Sequence, residues 1–396
     1  MNPIRLVHIT TVDLSLRFLL LGQLQAYRDA GFETIGVSAP GPWVTELRES
    51  GIAHLAVPSL RRKQAPLADL KAFATLVNVL RRTRPTIVHT HTPKAGVLGR
   101  IAARLAGVPI VINTVHGFYV SDASPVFRRA VLFLERVAAR CSDFEFCQSA
   151  EDLVLLRQLG VIDPRRSAYL GNGIDLRTFD PERIDRRTAR ARLNIPAEAV
   201  VVGTVGRLVW EKGYREFFAM AEALRGSDPN VVILAVGPLE PGKEDAVPSR
   251  VVDDVGGRGV VRFLGMRTDM PELYAAMDIF VLPSYREGFP RAAIEAAAMG
   301  LPLVATDIRG CREVVAEARN GFLVPPRDSG LLVDRVRRLI ADTGLRARLA
   351  QESRRRALAE FDERRIVATT LDVYGRLLQE KQGVRIGPHQ ESPARG

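Results

Sequence analysis

Two carboxylates separated by seven residues, Glu287 and Glu295, lie in the stretch YREGFPRAAIEAAAMG at 285–300. The run before it, DIFVLP at 278–283, has the length and composition of a strand, and 291–299 is rich in helix formers. Residues 284–290 therefore read as a loop, with Pro290 where a first helical turn tolerates proline. A strand end, a glycine-bearing loop and a helix start make a concavity that favours an anion, because unpaired N–H groups and the helix dipole face it. A carboxylate aimed at a phosphate would be repelled, so the two glutamates are expected to accept from neutral hydroxyls beside it. That is the chemistry of a sugar nucleotide, although an exposed helix carrying two acids has the same spacing. Arg207 and Lys212 follow the apolar run 200–205 and offer a bidentate fork and a compact charge, which suit a diphosphate. Read alone, they are also compatible with two surface cations. Their loop is not a Walker loop, which needs four residues between a glycine and Gly-Lys-Ser/Thr.

The elements that must position these residues alternate between strand and helix along the chain. At 396 residues the protein exceeds one ordinary core. The alternation pauses at GNGIDLRTFDP, 171–181, and resumes with a new first strand at 200–205. The expected architecture is α/β, with two doubly wound Rossmann-like domains facing each other across a cleft. Their expected bounds are 1–180 and 181–380, the second ending in a crossover helix, followed by a disordered polar tail over 381–396. The first strand is expected to lead into a loop at Thr11–Ser15 and an apolar helix at Leu16–Ala30. Open sheets of this kind bind ligands at the carboxyl ends of their strands, where each candidate residue falls.

Composition narrows the partners. With 46% hydrophobic and 26% charged residues, no apolar run reaches the roughly 20 residues of a membrane span. The first residues lack signal-peptide patterning, and three cysteines fit reduced thiols in the cytosol. A net charge of +11 suggests an anionic partner. Nucleic acid is disfavoured, since aromatics are only 6% and no nucleic-acid-binding signature is present. An anionic membrane face fits, as does a generally arginine-rich composition. The clusters are Arg61-Arg62-Lys63, Arg81-Arg82-Arg84 and Arg128-Arg129, with apolar Leu16–Leu21 and Val131–Leu134 on nearby helices.

The segments GRLVWEKG, VGP at 236–238, FLGMRTDMPELYAAMDIFVLPSYREGFPRAAIEAAAMG and PLVATDIRGCREVV resemble, in order, the retaining glycosyltransferases of family 4, which have the GT-B fold. TTVDLSLRFLL, VHTHTPKAGVLGR and NTVHGF are similar to the bacterial branch that builds capsular, O-antigen and lipid-linked glycans. The resemblance implies a UDP-linked hexose or N-acetylhexosamine as donor. It gives Arg207 and Lys212 the diphosphate, Glu295 the ribose hydroxyls and Glu287 the sugar hydroxyls near the reacting carbon. Backbone N–H groups of Gly288, Phe289 and Arg291 would assist, and His116 would meet the sugar from the other domain. Where relatives carry a Gly-Gly pair, this chain has Thr11–Ser15, so acceptor contacts are expected from Asp13 and Ser15. His91 to Lys94 form a further acceptor-side loop, with Lys94 free to meet a phosphate.

His89 and His91 point to one strand face and could ligate zinc, but no third ligand lies nearby in the sequence. Asp-x-Asp is absent as well, so the expected enzyme needs no metal or other cofactor. Its acceptor is expected to be a polyprenyl-diphosphate-linked glycan, and its location the cytoplasmic face of the inner membrane, held peripherally. A UDP-sugar 2-epimerase of the same fold is the alternative. An NAD-dependent dehydrogenase is disfavoured, because no G-x-G-x-x-G follows either first strand.

Overall fold

The computed structural model describes residues 3–61, 65–119, 124–227 and 230–385. The chain forms two compact units, 172–362 and the remainder. The first unit holds seven parallel strands: β1 (Arg5–Val12), β2 (Glu33–Ala39), β3 (Ala53–Ala56), β4 (Ile87–His91), β5 (Ile110–Val115), β6 (Phe144–Cys147) and β7 (Ser167–Tyr169), in the order β3-β2-β1-β4-β5-β6-β7. The second holds six: β8 (Val200–Val205), β9 (Val231–Val236), β10 (Arg262–Phe263), β11 (Ile279–Leu282), β12 (Leu303–Thr306) and β13 (Gly321–Val324), in the order β10-β9-β8-β11-β12-β13. Both are doubly wound. Strand order reverses between β1 and β4 in one sheet and between β8 and β11 in the other, and such reversals open a crevice at the strands' carboxyl ends.

Period-two geometry explains why these strands read as continuous apolar runs. Leu6, Ile87 and Ile110 pack on one face of the first sheet, while their neighbours Val7, Val88 and Val111 pack on the other. Both faces are covered by helices, so neither parity can be polar without internal partners.

Two expected boundaries move. The units divide after Gly171 rather than at residue 180, because Ile174 and Phe179 join the second unit's core with Tyr274 and Phe280. The last helix, Glu363–Gln382, belongs to the first unit rather than the second. Its Leu371, Tyr374, Leu377 and Leu378 share a core with Leu6, Tyr27 and Ile110, and the Tyr374 ring lies 5.5 Å from that of Tyr27. This helix also runs beyond residue 380, where the tail was expected to begin; residues 386–396 lie outside the described residues.

The entry to the first helical layer differs too. β1 extends through Val12, and helix begins at once with Asp13, so no open loop spans Thr11–Ser15. The turns that follow are a π-helical segment, Leu16–Leu20, before α-helix resumes at Leu21–Asp29. Leu16 and Leu20 are buried with Leu24, Leu47 and Ile52, so the Leu16–Leu21 stretch faces the core instead of offering a lipid-facing surface.

Candidate active site

In the second unit, the carboxyl ends of β8 and β11 are drawn together by backbone packing. Gly213 adopts φ 73°, and a Cβ there would fall 2.0 Å from the Pro283 carbonyl oxygen. Only glycine allows the turn carrying Lys212 to lie against the end of β11. Gly310 meets the loop in a similar way, since a Cβ there would fall 2.2 Å from the Glu287 carbonyl oxygen. Thr306 Oγ1 donates to the Ser284 carbonyl at 2.5 Å, fixing the same loop from β12. Pro290 is the N-cap of helix Arg291–Ala298, one position earlier than expected.

On this frame Lys212 Nζ donates to Glu287 Oε1 at 2.5 Å, and Ser284 Oγ donates to the same oxygen at 2.8 Å. Glu295 is buried. Its Oε2 accepts from the Tyr274 hydroxyl at 3.0 Å and its Oε1 from Arg291 Nε at 2.9 Å. Burial, reinforced by Glu295, pushes the Tyr274 phenol well above its usual range, so it remains a donor. A carboxylate has about four acceptor positions, so Glu287 and Glu295 keep capacity for ligand hydroxyls. Arg207 donates to Glu240 at 2.7 Å and to Glu211 at 3.4 Å. Glu211 also accepts from Lys243 and Arg286; burial opposes its ionisation, yet these cations hold the carboxyl below its ordinary range. Among the described residues, no acceptor takes the backbone N–H of Gly288, Phe289 or Arg291. The Phe289 side chain itself is core, its ring 5.8 Å from that of Phe361.

Sequence reasoning missed Glu211, Glu240 and Tyr274. Glu211 stood inside GRLVWEKG and could have been found by asking what neutralises Arg207. Glu240 and Tyr274 are brought in only by the fold.

In the first unit the expected acceptor residues are largely committed to structure. Asp13 is buried, with Oδ1 accepting from Leu14 N–H at 2.9 Å and Oδ2 from Trp43 N–H at 2.8 Å. Ser15 is buried in the same turn. Lys94, expected to stand free, donates to Asp69 of helix Pro66–Thr83 at 2.7 Å. Thr92, at φ 65° despite its branched Cβ, is held there by the Thr11 hydroxyl at 2.9 Å, which ties the ends of β1 and β4. His91 is buried with both ring nitrogens engaged: Nε2 with His8 Nδ1 at 2.9 Å and Nδ1 with His116 Nε2 at 3.0 Å. His91, like Asp13, is thus bonded on both sides within the first unit, and Ser15 is buried beside Asp13.

The premise that His89 and His91 lack a third partner is also corrected. His8 stands opposite His89 in the β1–β4 register, and one ligand atom from each of the three lies within 4.8 Å of the others. Their bonding nonetheless suits a hydrogen-bonded core better than a cation. His89 Nδ1 meets the Tyr374 hydroxyl at 2.6 Å and its Nε2 the Thr114 hydroxyl at 2.7 Å, while His8 and His91 bond each other. A metal would displace these bonds in a fully buried cluster that contains no carboxylate.

The two units belong to a single enzyme class. Residues 20–173 match the glycosyl transferase 4-like domain and residues 185–356 the glycosyl transferases group 1 family; the chain belongs to this glycosyltransferase family, with the GT-B fold. It is 32% identical over 306 residues, 76% of this chain and 78% of the relative, to the UDP-Gal:alpha-D-GlcNAc-diphosphoundecaprenol alpha-1,3-galactosyltransferase of Escherichia coli. It is 27% identical over 364 residues, 90% of this chain and 94% of the relative, to the N,N'-diacetylbacillosaminyl-diphospho-undecaprenol alpha-1,3-N-acetylgalactosaminyltransferase of Campylobacter jejuni. Among solved structures it is similar to Anabaena HepE in complex with UDP, at 25% identity and a TM-score of 0.78, covering 94% of this chain and 99% of that one.

The buried imidazoles give a pH prediction. Burial lowers His8 from 6.5 to about 3 and His116 from 6.5 to about 4, and holds His89 and His91 well below the usual range. Between the ordinary and lowered values the unfolded chain binds protons that the folded chain refuses, so stability rises with pH across that window. Thermal unfolding should show the first unit losing stability from about pH 6.5 downward, with a shallower loss in His8→Phe. A melting temperature that stays flat from about pH 7 to about pH 5 would contradict the buried, neutral cluster.

Proposed function

We propose that the chain is a retaining transferase that moves a hexose or N-acetylhexosamine from a UDP-sugar to a polyprenyl-diphosphate-linked glycan in surface-polysaccharide synthesis. The observation carrying this reading is the Lys212–Glu287 contact at 2.5 Å beside Arg207, a cation–carboxylate set at the strand-order reversal of the second unit. The Escherichia coli and Campylobacter relatives, whose acceptors are diphosphoundecaprenol-linked sugars, support the acceptor class. No observation favours the UDP-sugar 2-epimerase alternative.

Arg207 and Lys212 bind the donor diphosphate. Arg207 pairs with Glu240 and Glu211, all with side chains about a quarter exposed. Such pairs contribute only about 0–1 kcal/mol, whereas charge-assisted bonds to phosphate are stronger, so exchange toward the donor is favourable. Glu295 accepts from the ribose hydroxyls, with Tyr274 and Arg291 fixing its orientation. Glu287 accepts from the sugar hydroxyls near the reacting carbon. N–H groups of Gly288, Phe289 and Arg291 help hold the donor, and His116 orients the sugar. In an oxocarbenium-like transition state negative charge grows on the departing diphosphate, where fixed cations and the helix start act most strongly. The departing phosphate then takes the proton of the acceptor hydroxyl as it attacks the same face. The cations serve where a divalent metal otherwise would.

Peripheral docking on anionic lipid completes the reading, with the enzyme at the cytoplasmic face of the membrane. Among the described residues no helix is long and apolar enough to cross a bilayer. Helix Pro125–Ala139 instead exposes Val126, Phe127, Phe133 and Leu134 alongside Arg128 and Arg129. Apolar side chains flanked by arginines suit a lipid interface, each basic residue adding about 1 kcal/mol near an anionic surface. Arg62 and Lys63 of the other cluster lie outside the described residues.

Glu295→Gln and Arg207→Ala should each reduce transfer from UDP-sugar by at least about a hundredfold with unchanged folding, and EDTA should leave the wild-type rate intact. Near-native activity in either variant, or EDTA inhibition reversed by Mg²⁺, would defeat the donor assignment or the metal-free reading respectively. In flotation assays the protein should bind anionic liposomes, less so as salt rises and less with Arg128→Glu/Arg129→Glu. Equal binding to neutral liposomes, or none to anionic ones, would reject the docking surface.

A further inference from the structure

Three histidines of the first unit, His8, His91 and His116, form a chain of ring contacts. His8, His89 and His91 share one sheet face because their parity matches that of Leu6 and Ile87, whose side chains pack beneath Tyr27 and Tyr374. Within the set, His8 Nδ1 meets His91 Nε2 at 2.9 Å, and His91 Nδ1 meets His116 Nε2 at 3.0 Å. The His8 and His91 rings stack at 5.2 Å with an interplanar angle of 12°, which leaves little room for rotation. His8 is wholly enclosed and His116, after β5, is half-buried. At the inner end His8 Nε2 is buried with no hydrogen-bond partner among the described residues. At the outer end Gln148 is the polar side chain beside the His116 ring.

We propose that His8 and His91 are positioning residues that fix which nitrogen of His116 carries its proton. A neutral imidazole has one N–H and one lone pair, so every contact in the chain must hold a single proton, and choosing one sets the rest. The orphaned His8 Nε2 makes that choice. A buried donor without an acceptor is rarer and costlier than an unfilled acceptor, so this nitrogen is bare and Nδ1 bears the hydrogen. His8 Nδ1–H then donates to His91 Nε2, and His91 Nδ1–H donates to His116 Nε2. His116 is left with its proton on Nδ1.

The consequence for transfer rests on the reading above that His116 meets the donor sugar. Its only basic nitrogen, Nε2, is already filled by His91, so His116 orients the sugar as a neutral ring and does not deprotonate the acceptor. That leaves the departing phosphate as the base, in keeping with same-face attack. His89 stands beside this chain as a separate branch between Tyr374 and Thr114.

Long-range ¹H–¹⁵N spectra of the histidine-labelled full chain test this, with resonances assigned through single variants. The wild type should show His8, His91 and His116 all as neutral Nδ1–H tautomers. In His8→Phe the single His116 tautomer should give way to a mixture, and kcat should fall roughly tenfold with KM for UDP-sugar nearly unchanged, the size of one lost hydrogen bond in the transition state. His8→Asn, which places an amide N–H near the Nδ1 position, should restore the single tautomer. A wild-type His116 protonated on Nε2 overturns the proposal without any variant, as does a His116 tautomer that His8→Phe leaves unchanged. If the spectra agree while His116→Ala transfers normally, the chain stands and the role of His116 in transfer falls.

Discussion

Close backbone packing around Gly213 and Gly310 governs the second unit's chemistry. A side chain at either position would collide with a carbonyl of the strand-end loop, at 2.0 Å from Pro283 O or 2.2 Å from Glu287 O. Because both positions are glycine, the turn after β8 and the helix start after β12 can clamp the loop after β11 from two sides. Lys212 and Glu287, far apart in sequence, then meet at 2.5 Å. Every other donor-side assignment depends on that placement. A widened loop would separate the cation proposed for the leaving group from the carboxylate proposed for the sugar.

In the second unit the charged side chains at the strand ends pair with one another. Arg207, Lys212 and Arg291 each hold a carboxylate, and Glu211 gathers three cations. These pairs are partly solvated and individually weak. They keep the cations oriented at little energetic cost. The first unit handles polarity differently. Its buried histidines are neutral and bond to each other and to hydroxyls, with His8 Nε2 and His54 Nδ1 as the ring nitrogens left without a partner among the described residues.

How much of this was legible in the sequence follows from the range of each contact. The donor loop could be read because its strand, glycine-bearing turn and helix start are contiguous, and the family resemblance carried the same residues. The doubly wound architecture could be read from alternation alone. The final helix could not be placed, because its apolar stripe says that it is buried but not against which sheet. Asp13 and Ser15 follow a strand end as a ligand contact would, yet Asp13 caps backbone groups of its own turn and of Trp43. The third histidine was hidden for a related reason: His8 reaches His89 only through the register of β1 on β4, a long-range pairing that no local pattern reports. His91 and Lys94 were read as reaching outward because their partners, buried His8 and half-buried Asp69, are also remote.

The central claim is that the strand ends of the second unit bind the nucleotide diphosphate through protein cations. Calorimetric titration of UDP into the wild type and Lys212→Ala, both in EDTA, tests it most directly. The account predicts saturable binding by the wild type, and affinity at least about tenfold weaker in the variant with its thermal stability retained. Equal affinity in the two proteins, or wild-type binding that appears only when a divalent metal is added, would contradict it.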